Sequence, residues 1–401
     1  MNKQTLQSLE PAFLKGKRVM VRVDYNVPFQ NGVISDDSRI RASLPTLNYL
    51  ITSGAKVILV SHLGQPKAYE ASLTLSPISK RLSELLERPV FQAKDCVGTE
   101  VETLVSQLKN GELVLLENVR FHPEETQNTL EFAQKLAKLA DIFVQEAFGT
   151  VHRAHASTAG VAKIIPGYAG FLVQKELHFL DQAIQNPKRP LLAIIGGSKV
   201  SSKIGILQHL LGKVDALVIG GGMAFTFMKA QGFPIGKSLC ENDKLQEAAT
   251  FLEKARNSAT KVILPVDQIV VSEFKNESEP QLVSMSAIPD GKMGVDAGPE
   301  TIRLLQDVIQ ESATILWNGP LGVFEMDNFA KGTNEVAAML ASSSAITIVG
   351  GGDSAAAVAK AGLADKMTHI STGGGASLEF LEGRELPGLV VLEDSHVPVR
   401  G

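Results

Sequence analysis

At 401 residues the chain is long for a single hydrophobic core, and an apolar content of 44% is enough to build two. Residues 1–165 carry 19 Lys/Arg against 17 Asp/Glu and the remainder 20 against 26, so the basic bias of a nucleic-acid binder is missing, and no run approaches 18 consecutive apolar residues. Cys96 and Cys240 stand alone, which argues against a disulfide framework or a zinc site; the start MNKQTLQSLEPAFLKGKRV has no apolar signal core, so a cytoplasmic protein with no membrane or nucleic-acid partner is expected.

Taken in order, short apolar runs alternate with helical patterns. Strands are expected near 18–24, 56–61, 112–117 and 141–146, then near 191–196, 214–220, 261–266, 313–318, 345–350 and 367–371. Continuous apolar strands separated by helices predict parallel sheets covered on both faces. Segment 167–185 places Leu172, Glu176, Phe179 and Ala183 at helical spacing before Asn186 and Pro187 stop it, and reads as a helix joining two domains.

The first strand, VMVRVDYNVP, alternates Val19, Val21 and Val23 and then ends on Asp24 and Asn26, residues that strands disfavour. Arg22 points to the opposite face and reads as a structural pairing residue. Later strands end alike, in SHLG (61–64), ENVRFH (117–122), EAFGTVHRAH (146–155), GGSK (196–199), GGG (220–222), NGPLG (318–322), GGGD (350–353) and STGGG (371–375). Open parallel sheets bind ligands at that edge, so Asp24 and Asn26 read as the start of a ligand-facing ring; an Asp-x-Asn pair also suits a plain turn.

The two halves differ in chemistry. Arg39, His62, Arg120, Arg153 and His155 suit a small, strongly anionic ligand, whereas the glycine-rich turns of the second half suit phosphates at helix starts. Asp353 is expected at the N-cap of an alanine-rich helix closed by Gly362, either as a simple cap or, beside a phosphate, as a magnesium ligand. Lys199 and Lys203 are expected near the start of a helix striped by Val200, Ile204, Leu207 and Leu211; they are solvated there, or they oppose the helix dipole because an anion lies close. His152 and His155 lack a third metal ligand and read as structural or anion-binding.

Neither GxxxxGK[ST] nor the HRD and DFG signatures occur. Gly350, Gly352 and Ala355 match GxGxxA, but the next strand closes with His369, Ile370, Ser371 and Thr372 instead of an acid, so a nicotinamide dehydrogenase is a poor second reading. A non-catalytic two-domain anion-binding protein is the other rival.

VRVDYNVP, SHLG, LENVRFH, EAFGTVHRAH, GGSKVSSKI, WNGPLGVFE, GGGDS and STGGGASLEFLEG, in this order, resemble the phosphoglycerate kinase family over essentially the whole chain. The resemblance implies two Rossmann-like domains, each a parallel sheet flanked by helices, joined by a helix with a cleft between them. Residues 1–166 would bind 3-phosphoglycerate, with 387–401 packing back on them; 167–186 would form the joining helix, and 187–386 would bind MgATP or MgADP. It further implies a monomer that reversibly transfers a phosphoryl group between ATP and the substrate carboxylate, with domain closure to exclude water. By motif, Asp24, Asn26, Arg39, His62, Arg120 and Arg153 would hold 3-phosphoglycerate. Lys199 would follow the transferring phosphoryl group and Lys203 would be its partner on the nucleotide phosphates, with Arg39 and the amides of Gly373 and Gly374 adding to the stabilisation of the transferring group. Gly197, Gly221, Gly294, Asn318, Pro320, Val323, Gly352 and Ser354 would belong to the nucleotide site, Glu325 would contact the ribose, and Asp353 would hold magnesium. The chain departs from the family's usual pattern at Gln65, where an arginine is expected, at Glu146 for Asp, and at Ser198 for Ala.

Overall fold

The computed structural model describes residues 3–395. The chain divides into two compact units, Met1–His178 with Glu385–Gly401, and Phe179–Arg384.

The first unit is built on a six-stranded sheet ordered Val90–Gln92, Leu113–Leu115, Lys56–Val60, Arg18–Arg22, Ile142–Gln145, Gly167–Ala169, with every pairing parallel. Val19 and Val21 are fully buried, and so are Met20 and Arg22 on the opposite face, as expected of a parallel sheet covered on both sides. The segment after Glu385 returns to this unit: Gly388 N–H donates to Val151 O, Glu393 N–H to Gly167 O, and Lys3 Nζ to Asp394 at 2.7 Å. Residues 396–401 of the expected return lie outside the described residues.

The second unit carries six parallel strands in the doubly wound order Lys261–Ile263, Ala216–Ile219, Leu191–Ile195, Thr314–Asn318, Ile346–Gly350, His369–Ile370. The strand order reverses where Leu191–Ile195 meets Thr314–Asn318. A three-stranded antiparallel sheet, Asp267–Val271 flanked by Gln281–Ser284 and Met293–Ala297, has no counterpart in the expected strands.

Three local expectations need correction. The joining helix spans Phe171–Gln185, because Gly167–Ala169 pairs with Phe143–Gln145 as a sixth strand. Glu146 sets the helix start: its buried carboxyl accepts the Leu172 N–H at 3.1 and 3.2 Å, and burial pushes its pKa up to about 8. Lys199 and Lys203 precede their helix, which spans only Ile204–Leu210. Asp353 lies one residue inside the Gly352–Lys360 helix, whose N-cap is Gly351 at φ 87°, a conformation that suits glycine.

Candidate active site

In the first unit the residues beyond four strand ends converge. Asp24 accepts from Arg39 Nη1 at 3.0 Å, and the same nitrogen donates to Asn26 O at 3.1 Å. Asn26 Oδ1 accepts the Gly64 N–H at 2.9 Å, and Arg120 Nη1 donates to Gly64 O at 2.5 Å. His62 is buried, with Nδ1 4.0 Å from Asp24 Oδ1 and 3.2 Å from Arg22 Nη2. Arg153 Nε donates to His152 Nε2.

The electrostatics of this cluster are one-sided. Burial, followed by Arg22, Arg120, Arg153 and Arg39, holds the His62 imidazole well below its usual pKa. Burial and the arginines likewise bring His155 to about 4, and burial with Arg153 and Arg22 brings Arg120 to about 10. The arginine guanidiniums gathered at these strand ends suit a small, strongly charged anion.

Arg22 sits beneath the cluster. Its Nε donates to Ser157 Oγ at 2.8 Å, and Ser157 Oγ donates in turn to Glu125 Oε1 at 2.6 Å. The sequence marks Arg22 as structural through its strand face, but Ser157 and Glu125 lie more than a hundred residues away from it and leave no local signal.

In the second unit the site lies where the strand order reverses. Gly196 N–H donates to Asn318 O and Gly197 N–H to Pro320 O. A Cβ on Gly196 would fall 2.2 Å from Pro320 O, on Gly319 2.2 Å from Gly196 O, and on Gly221 2.7 Å from Gly197 N. Three loops thus pack backbone against backbone, and each contact admits only hydrogen. Beside them opens a cavity of about 400 Å³ lined by Gly197, Gly221, Gly294, Pro320, Val323, Glu325 and Asp353, with apolar walls from Phe225, Leu239, Phe274 and Met293.

Lys203, Asn318, Gly352 and Ser354 are not lining residues of this cavity. Lys203 Nζ donates to Asn318 Oδ1, and Ser354 Oγ accepts the Gly319 N–H. Asn318 Nδ2 is buried without a partner, 3.1 Å from where a Gly351 Cβ would stand. Burial lowers the Lys203 ammonium's pKa, with Asp353 and Glu382 opposing the shift. An ammonium, an orphaned amide donor and a glycine-entered helix therefore face one locality, the inventory of a phosphate site. The Asp353 carboxylate is exposed and makes no hydrogen bond or ion pair among the described residues, so it is free to coordinate a cation.

Lys199 is exposed and acts on the Glu241 carboxylate, which also accepts from Ser201. Gly373 and Gly374 do not line the cavity; Gly373 N–H donates to Ser371 Oγ, and Gly374 caps the Gly375–Leu381 helix at φ 50°. Away from both sites, His122 Nε2 pairs with Asp95 Oδ1 at 2.6 Å beside the buried Cys96, a grouping the sequence reading did not make.

A family model described as phosphoglycerate kinase matches residues 9–384. A phosphoglycerate kinase of Dictyoglomus turgidum is 54% identical over 395 residues, covering 98% of this chain and 100% of the relative. A cytosolic phosphoglycerate kinase of Triticum aestivum is 54% identical over 398 residues, covering 98% and 99%. The solved phosphoglycerate kinase of Coxiella burnetii superposes with a TM-score of 0.89 at 43% identity, covering 97% of this chain and 98% of that one.

Proposed function

The chain belongs to the phosphoglycerate kinase family, and from that premise we propose how its two sites carry a reversible phosphoryl transfer between ATP and the carboxylate of 3-phosphoglycerate, giving ADP and 1,3-bisphosphoglycerate. The first unit holds 3-phosphoglycerate through Arg39, His62, Arg120 and Arg153, with Asp24 and Asn26 orienting Arg39. The second unit holds the nucleotide in the glycine-bordered cavity, its phosphates toward Lys203, Asn318 and the Gly352–Ser354 turn. Lys199, Gly373 and Gly374 act on the transferring group. The observation that carries this reading is the orphaned Asn318 Nδ2 beside Lys203 at the point of strand reversal, because a buried donor left unmade costs about 1–3 kcal/mol and a phosphate oxygen would satisfy it.

The nucleophile is a carboxylate, already ionised near neutral pH, so the protein needs no general base. His62 is held neutral and Asp24 is engaged by Arg39, consistent with positioning roles. What remains is to align the reactants and to stabilise charge as it spreads over the phosphoryl oxygens, a task for preorganised cations and amide donors. Bound magnesium would be held by Asp353 together with nucleotide phosphates and would neutralise phosphate charge. No helix among the described residues is long and apolar enough to cross a membrane, and a cytoplasmic monomer acting on small molecules completes the proposal. Incubation with 3-phosphoglycerate, ATP and magnesium should yield an acyl phosphate that hydroxylamine traps; its absence overturns the reading.

Replacing Asp353 by Ala tests the metal assignment. The side chain caps nothing, so the expected stability loss is under about 1 kcal/mol, a first-turn acid's interaction with the helix dipole. The expected catalytic result is slower turnover and a raised magnesium requirement. Melts and metal titrations on the one variant separate the two, and an unchanged magnesium titration removes Asp353 from the metal site.

Gln65 is exposed at the edge of the first site, two residues from the exposed Lys67. Gln65→Arg should tighten 3-phosphoglycerate binding. A charged hydrogen bond contributes roughly 1.5–3 kcal/mol when well formed, and solvent reduces it, so a fall in KM of up to about tenfold with little change in kcat is expected. Comparing KM in wild type, Gln65→Arg and Lys67→Ala at fixed salt shows whether Lys67 already supplies that charge; an unmoved KM in the arginine variant refutes the gain.

A further inference from the structure

The lining of the second-unit cavity contains one buried polar side chain, and the reaction does not use it. Gln268 lies on the central strand of the antiparallel sheet, paired with Ala297 and Val283, and is only 4% exposed, yet it lines the cavity. The other polar side chains of the lining, Ser198, Lys237, Glu325 and Asp353, are all exposed. Gln268 reaches the wall past Gly294: a Cβ there would stand 3.0 Å from Gln268 Cγ and 2.1 Å from Phe225 Cζ. Its amide forms no hydrogen bond among the described residues.

An amide without partners on the wall of the cavity is open to whatever enters, and a ligand that pairs with it gains hydrogen bonds that nothing in the protein supplies. Phe225, Leu239, Phe274 and Met293 offer faces for a flat ring but give no means of telling one base from another. A glutamine amide does: its oxygen accepts and its nitrogen donates, and the pair matches the amino group and adjacent ring nitrogen of adenine. We propose that Gln268 is the specificity-determining residue for the nucleobase, pairing with the amino-bearing edge of adenine. This rests on the second-unit cavity being the nucleotide site. Gln268 acts in binding only, far from any bond that changes.

The test compares kcat/KM for ATP and for purine riboside triphosphate, which lacks the 6-amino group, in wild type, Gln268→Met and Gln268→Leu. Wild type should prefer ATP by about tenfold or more, in KM and not in kcat, because a base contact is alike in ground and transition states. In Gln268→Met, which keeps the volume, the preference should fall to near one. A wild-type ratio near one overturns the proposal whether or not the variants fold, as does a variant ratio equal to wild type. If wild type turns over neither nucleotide, the nucleotide reading itself fails, and the proposal with it.

Discussion

Replacing Lys203 by Met is expected to lower kcat about 10²–10³-fold while KM for ATP moves only a few-fold. Removing one preorganised donor aimed at charge that develops in the transition state has an effect of that order. Lys203 is preorganised, since Asn318 Oδ1 fixes its ammonium. The methionine keeps the packing but leaves both polar atoms of the buried Asn318 amide without partners, so a stability loss of about 1–3 kcal/mol should accompany the kinetic one. Lys199→Ala should show the kinetic loss without the stability loss, because Lys199 is exposed and pins nothing buried. Steady-state kinetics with thermal melts on both variants give the comparison. A Lys203 variant with wild-type kcat would exclude this ammonium from the transfer.

Replacing Arg22 by Met should destabilise the first unit by about 3–5 kcal/mol, the range for removing one member of a buried charge pair. Arg22 is 1% exposed and Glu125 is 1% exposed, and Ser157 relays between them. Burial lowers the Arg22 pKa and raises that of Glu125, while each charge favours ionisation of the other. Without the guanidinium, Glu125 must bind a proton or remain an uncompensated charge. Arg22→Met combined with Glu125→Gln should recover much of the loss, because a buried charge is then no longer stranded. Denaturant midpoints for the two single variants and the double variant decide the matter, and a strictly additive double would show that the two charges do not interact.

How much of this was legible in the sequence depended on where the determining contacts lie. Runs such as Leu191–Ile195 and Ile346–Gly350 announce buried parallel strands because both of their faces are covered. The strand Gln281–Ser284 is largely exposed, so its composition carries no such mark, and the antiparallel sheet went unread. The stripe of Val200 and Ile204 continues through the turn that holds Lys199 and Lys203: Val200 is buried without being helical, so periodicity alone puts the helix start too early. Asp353 has the composition of a cap, but the left-handed Gly351 takes that position. The joining helix begins at Phe171 because Glu146, from the end of the strand Ile142–Gln145, meets its first amides, a tertiary fact that no window on residues 167–185 contains. The Asp24, Asn26 and Arg39 cluster was legible as polar punctuation at strand ends. The link from Arg22 through Ser157 to Glu125 was not, because contact across 135 and then 32 residues has no periodicity to betray it.

The mutual approach of Gly196, Gly319 and Gly221 has a consequence for inheritance. Each of these positions is closed to every other residue by main-chain atoms, which cannot be swapped for smaller ones by any compensating substitution elsewhere in the gene. Drift can therefore recolour the cavity walls, as exposed apolar side chains such as Leu239 and Phe274 are free to change, but it cannot redraw the loops on which the walls stand. In a library that samples all substitutions across the second unit, surviving diversity should pool around exposed wall positions such as Leu239 and Phe274 and leave these three codons almost silent.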